Sequence, residues 1–102
     1  MASENILQLL KTGIHNIDTN AKIILYGSRA RGDNKPDSDW DLLILTTLPE
    51  NETTKKIFRK EIYQAELLTD ETISSIIHNK SHWEQLKITS LYKNILNEGK
   101  EL

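Results

Sequence analysis

Ile6, Leu9, Leu10, Ile14 and Ile17 recur at helical spacing, and Ser3 with Glu4 behind it reads as a cap. The pattern predicts a helix over residues 3–17, with Gly13 a mild internal cost and Asp18-Thr19-Asn20 as the stop. The period then changes. Lys22 to Tyr26 (KIILY) is a short β-branched and apolar run closed by Gly27, which predicts a buried strand. Residues 28–38 are polar and form a loop opening with one helical turn. Trp40 to Thr46 is a second strand, ended by Leu48-Pro49. Thr54, Phe58, Ile62, Ala65 and Leu68 fall three or four apart, giving an amphipathic helix over 51–68. Thr72 to His78 reads as a third strand. Ser81 with Glu84 three residues on is a capping-box pattern opening another helical stretch. Ile88, Leu91, Tyr92, Ile95 and Leu96 mark a last helix, with Gly99 placed as its C-cap. The order helix, strand, strand, helix, strand, helix implies an α/β (α+β) fold: a small mixed β-sheet flanked by helices.

At 102 residues, with no repeat or linker, the expectation is one domain over residues 1–102 with a modest core. A hydrophobic share of 37% and a charged share of 27% fit a soluble globular chain, and no apolar run approaches the ~20 residues of a membrane helix. The acidic, amphipathic start is unlike a signal peptide, and the absence of cysteine excludes disulfides and thiolate metal sites; together these lead to the expectation of a cytoplasmic protein. A formal net charge of −2 argues against extended nucleic-acid binding, although a local basic cluster can still hold one polyphosphate.

The chemistry concentrates in GSRARGDNKPDSDWDLLIL, Gly27 to Leu45. In a strand, residues two apart share a face, so Asp39 and Asp41 lie together, with α-carbons roughly 6.5–7 Å apart. Side by side they repel, and partial burial raises the pKa of at least one; a divalent cation removes that penalty. Hard oxygen donors suit Mg²⁺, which binds through one or two carboxylates plus substrate phosphates. Alone, such a pair is more often just two aspartates flanking a turn, since such triplets are common by chance. Gly27-Ser28 changes the balance. A glycine after a buried strand permits close backbone approach, and the serine hydroxyl can donate to a phosphate. Two strand ends then present amides and a hydroxyl on one side and metal-binding oxygens on the other, as a triphosphate with Mg²⁺ requires. Arg29 and Arg31, between them, are either phosphate grips or solvated loop residues.

This stretch resembles the signature of the nucleotidyltransferase superfamily related to DNA polymerase β: Gly-Ser, a ten-residue spacer (here Arg29 through Ser38), then Asp-x-Asp. It covers about a fifth of the chain, and the short length is similar to the minimal nucleotidyltransferases. The resemblance implies transfer of a nucleoside monophosphate from an NTP, with ATP the expected one, to an acceptor, releasing pyrophosphate. Gly27, Ser28 and Arg31 would bind the nucleotide, and Asp39 and Asp41 would be catalytic and hold Mg²⁺ (or Mn²⁺). It also implies a helical HEPN-type protein partner, as in toxin–antitoxin-like pairs, with a homo-oligomer the other assembly left open. One departure matters. Active members carry a third carboxylate on a later strand, and here Thr72 or Ser74 stands where an acid would be natural, with Glu66, Asp70 and Glu71 just before. The alternative function is therefore a catalytically weak antitoxin or regulatory subunit that keeps the fold and binds a partner.

His15, His78 and His82 show no ligand spacing within one element and read as ordinary surface or packing residues. Lys55, Lys56, Arg59 and Lys60 make one helix face basic, diluted by Glu52, Glu61 and Glu66.

Overall fold

A computed structural model of the chain describes residues 2–102, with side chains from Ile6 onward. Its elements follow the order α1 (Ala2–Ile17), β1 (Lys22–Tyr26), α2 (Ser28–Arg31), β2 (Trp40–Thr46), α3 (Glu52–Thr69), β3 (Ile73–Asn79), α4 (Lys80–Glu84), α5 (Ser90–Glu98) and β4 (Lys100–Glu101). The fold is α+β, around one mixed sheet of order β3-β2-β1-β4. β1 runs antiparallel to β2 and β4, whereas β2 and β3 are parallel and joined by α3, since a parallel pair needs a long crossover. Among the described residues no helix is long and apolar enough to cross a membrane.

Strand alternation sends side chains to two faces, and each face has its own cover. Ile23, Leu25, Trp40, Leu42, Ile44 and Ile77 pack with Ile6, Leu10 and Ile14 of α1 and Phe58, Ile62 and Ala65 of α3. On the opposite face Leu43 and Leu45 meet Trp83 and Ile95 from α4 and α5, with Ile24, Tyr26, Ile76 and Tyr92 at the margin. At about 25 cal/mol per Å² of apolar area removed from water, burial on both faces supplies the main driving force for the fold.

The boundaries follow from local chemistry. The Asn51 side chain accepts the Thr54 N–H at 2.9 Å and starts α3, and Asp70 in the left-handed region (φ 59°) ends it. The Ser3 cap falls among residues whose side chains lie outside the described ones. One other expectation needs correction. α4 is capped by Asn79, whose side chain accepts the Ser81 N–H at 2.9 Å, so Ser81 sits inside the helix. Gly99 is the C-cap of α5 as expected, its N–H donating to the Ile95 carbonyl, with φ −67°. Glycine is needed there for space: a Cβ would meet the Ile95 carbonyl oxygen and the Ile24 side chain at 2.5 and 2.7 Å. The tight passage lets the chain turn directly into β4, which pairs with Ile24 and Leu25.

Candidate active site

The antiparallel pairing of β1 and β2 brings the end of one strand against the start of the other. Tyr26, the last residue of β1, lies opposite Asp41, so the Gly27-Ser28 turn and the two aspartates meet although ten residues separate them in sequence. Arg29 holds that intervening loop closed. Its guanidinium donates to the Ser38 carbonyl (2.9 and 3.3 Å) and the Pro36 carbonyl (3.1 Å), and sits 4.3 Å from the centre of the Trp40 ring. Arg29 is therefore a loop clamp, not a free phosphate grip.

Gly27 is dictated twice. Its backbone has φ 73° and ψ −159°, a region essentially confined to glycine, and a Cβ there would run into the Asp41 carboxylate. The Asp41 carboxylate thus lies directly against the glycine of the turn. Partial burial raises the Asp41 pKa, the neighbouring charge of Asp39 raises it further, Arg31 opposes this, and Glu98 adds to it. The same environment, burial first and then Asp41 and Glu98, pushes the Tyr26 hydroxyl up. The site carries more negative charge than the protein itself neutralises. Two hard carboxylates with that excess fit a divalent cation such as Mg²⁺.

The parallel register of β3 shows which residue lies beside the aspartate pair. Ser74 is the partner of Asp41, and its hydroxyl lies 3.5 Å from an Asp39 carboxylate oxygen. None of the three acids in the preceding segment takes that place. Glu66 stays on α3 and accepts the Ile73 N–H at 2.8 Å, Asp70 is the α3 cap, and Glu71 precedes β3, which begins at Ile73. Ser74, not an acid, is the β3 residue beside the aspartate pair.

One residue at this site escaped the sequence reading. Glu98, the last residue of α5, accepts the Gly27 N–H at 2.6 Å and pairs with the Arg31 guanidinium at 3.1 Å. Arg31, exposed, also reaches Asp33 at 3.1 Å. A carboxylate thus holds the amide and the arginine expected to meet a phosphate. The contact spans 71 residues, and no local motif announces it.

With this geometry in view, comparison with known proteins is decisive at the family level: the model of the nucleotidyltransferase domain matches residues 6–102. The chain belongs to the nucleotidyltransferase domain family. A search of curated proteins finds no match. Among solved structures, the nucleotidyltransferase domain is similar to a chain of a toxin-antitoxin crystallised with AMP-PNP, at 19% identity and a TM-score of 0.63, covering 96% of this chain and 69% of that one. It is also similar to a chain of a mutant toxin-antitoxin MntA-HpeT, at 20% identity and a TM-score of 0.61, covering 98% of this chain and 70% of that one. At such identities the likeness bears on the fold.

The three histidines divide between two environments. His15 Nε2 lies 3.0 Å from the Ala21 carbonyl, a packing role as expected. His78 and His82, by contrast, converge on Glu50 at the other end of β3.

Proposed function

We propose that this nucleotidyltransferase domain transfers a nucleoside monophosphate from an NTP, ATP first among the candidates, to an acceptor hydroxyl. The observation that carries the reading is the packing of the Asp41 carboxylate against Gly27, which joins the phosphate-binding turn and the aspartate pair into one site. The acceptor oxygen bonds to the α-phosphorus, the bond from that phosphorus to the β-phosphate oxygen breaks, pyrophosphate leaves, and the hydroxyl proton passes to solvent. Asp39 and Asp41 would hold Mg²⁺ or Mn²⁺, which when bound neutralises phosphate charge. The Gly27-Ser28 turn orients the terminal phosphates, and Arg31 answers their charge once Glu98 yields it.

A protein partner accompanies this reading. The solved relatives are toxin-antitoxin structures, and α3 leaves Ile57, Tyr63, Leu67 and Leu68 exposed, which supports docking by a helical, HEPN-type protein. A second reading, an antitoxin or regulatory subunit with weak catalysis, is favoured by Ser74 in place of an acid and by Glu98 on the Gly27 amide.

The test is incubation with labelled NTPs and Mg²⁺ or Mn²⁺, with and without a co-encoded neighbour. Metal-dependent label on an acceptor, lost in Asp39→Asn and Asp41→Asn, supports transfer. Metal–NTP binding without transfer supports the regulatory reading, and absence of both metal and NTP binding refutes the site.

A further inference from the structure

Glu50, His78 and His82 come from three elements that are separate in sequence. Glu50 sits in the loop leaving β2, His78 near the end of β3, and His82 on α4. One donor atom from each lies within 4.8 Å of the others, the one such His/Cys/Asp/Glu trio among the described residues. His78 Nδ1 is 3.1 Å from Glu50 Oε1 and His82 Nδ1 is 2.8 Å from Glu50 Oε2, so both rings turn the same nitrogen toward opposite oxygens of one carboxylate. The two rings meet edge to face at 5.2 Å. We propose that these three side chains form a binding site for a divalent transition-metal ion of the Zn²⁺ type, distinct from the aspartate pair.

The same donor set serves as a hydrogen-bond cluster without a metal and as a ligand set with one. A neutral imidazole protonated at Nε2 presents a lone pair at Nδ1. With the proton on Nδ1 instead, each ring donates a hydrogen bond to Glu50; with the proton on Nε2, both Nδ1 lone pairs are free to take a metal in place of those protons. One cation satisfies all three donors together. Two imidazoles and one carboxylate suit Zn²⁺, Co²⁺, Ni²⁺ or Cu²⁺, whereas Mg²⁺ prefers oxygen alone. The ligands are also held from outside. The Asn79 N–H donates to Glu50 Oε1 at 2.7 Å, the Asn79 side chain donates to the Leu48 carbonyl at 2.9 Å, and His78 stacks on Trp83 at 5.6 Å. The Glu50 and His78 side chains are each 18% exposed and His82 is 45% exposed, which gives an ion an entry path and leaves room for a water as a further ligand.

The site is physically separate from the nucleotide site. His78 pairs with Leu45, and Ser74 with Asp41, on one face of the sheet. The two sites therefore lie about 13 Å apart along the strands, with Leu43 and Ile76 between them. A bound ion would clip the β2–α3 loop, β3 and α4 together, in a chain that has no disulfide to do so.

Isothermal calorimetry of the full chain with Zn²⁺ tests the assignment, supported by the visible spectrum of the Co²⁺ form and by thermal melts with Zn²⁺. One equivalent is expected to bind, to raise Tm, and to give Co²⁺ the strong visible bands of a low-coordinate nitrogen-containing site. His82→Ala, chosen because that ring is the most exposed, and Glu50→Gln should each weaken binding on the order of 100-fold. An Asp39→Asn/Asp41→Asn variant, which lacks the other proposed divalent-cation site, should keep this one equivalent at full affinity. The assignment is overturned if the natural chain takes up no Zn²⁺, if His82→Ala and Glu50→Gln bind it unchanged, or if only the aspartate variant loses it.

Discussion

Replacing Ser74 with aspartate would put a third carboxylate beside the aspartate pair, and the structure fixes what that should do. The Ser74 hydroxyl is 3.5 Å from Asp39, and the residue is exposed, so a new carboxylate would face Asp39 at about 4 Å in a mainly aqueous setting. Two unit charges at that separation repel by ~1 kcal/mol in water, rising to ~4 kcal/mol at the effective dielectric of a partly covered site. With no metal, Ser74→Asp should therefore cost about 1 kcal/mol or somewhat more, a fall in Tm of about 4–8 °C per kcal/mol for a domain of this size. A divalent cation doubles the interaction and reverses its sign. The attraction, ~2 kcal/mol at the aqueous limit, corresponds to metal affinity about 30-fold tighter. Mn²⁺ titration followed by electron paramagnetic resonance reads the affinity, and melts with and without Mn²⁺ read the stability. Ser74→Asn, equal in shape but uncharged, should change neither by much. Equal Mn²⁺ affinity in the two variants would refute the placement of Ser74 at the metal. So would a tightening that survives Asp39→Asn at full size.

Other consequences can be checked in the same preparations. Gly27→Ala should destabilise the fold by about 2 kcal/mol or more, because the residue has positive φ and its Cβ meets Asp41, and it should abolish nucleotide binding; denaturant melts and nucleotide titration read both effects. Glu98→Gln should tighten NTP binding about five- to tenfold, since it removes the carboxylate charge that competes for the Gly27 amide and Arg31, a change on the scale of one charge-assisted hydrogen bond; weaker binding would make Glu98 a support of the site. Burial alone would raise the pKa of Asp18, but hydrogen bonds from the Thr46 hydroxyl, the Thr47 and Asn20 amides and the Thr47 hydroxyl bring it from 3.8 down to about 2. A carboxyl held low in the folded state stabilises above its unfolded pKa and loses that contribution as pH falls, so Asp18 should add about 2 kcal/mol at neutral pH. That contribution should fade between pH 4 and pH 2, and the gap in stability between the natural chain and Asp18→Asn should close over the same range.

The residues legible in the sequence are those whose role is set by near neighbours. Strand β2 is legible because the apolar run Leu42 to Leu45 is bounded by Asp41 before it and Leu48-Pro49 after it, and β1 because Gly27 ends it abruptly. The Gly-Ser and Asp-x-Asp elements were legible for the same reason: each sits at a strand end, and antiparallel pairing of two adjacent strands has to bring those ends together. Ser74 was only bracketed, since its placement depends on the register of β3 against β2, and a parallel pairing across an 18-residue helix leaves no turn residue to announce it. The two-residue strand β4 carries no periodicity, so the hairpin-like return that brings Glu98 to Gly27 stayed hidden. His78 and His82 show no ligand spacing within any single element, which is why the sequence does not announce them. The actual arrangement uses a strand end, the helix after it, and a loop 28 residues upstream of His78. Both missed clusters lie on the sheet face covered by α4 and α5, at its opposite ends. The apolar cluster of Leu43, Leu45, Trp83 and Ile95 sits on that same face. Charge is kept to the two ends of this face because its middle is dry. Whatever docks α4 and α5 onto that middle therefore sets the geometry of both ends, through His82 at one and Glu98 at the other.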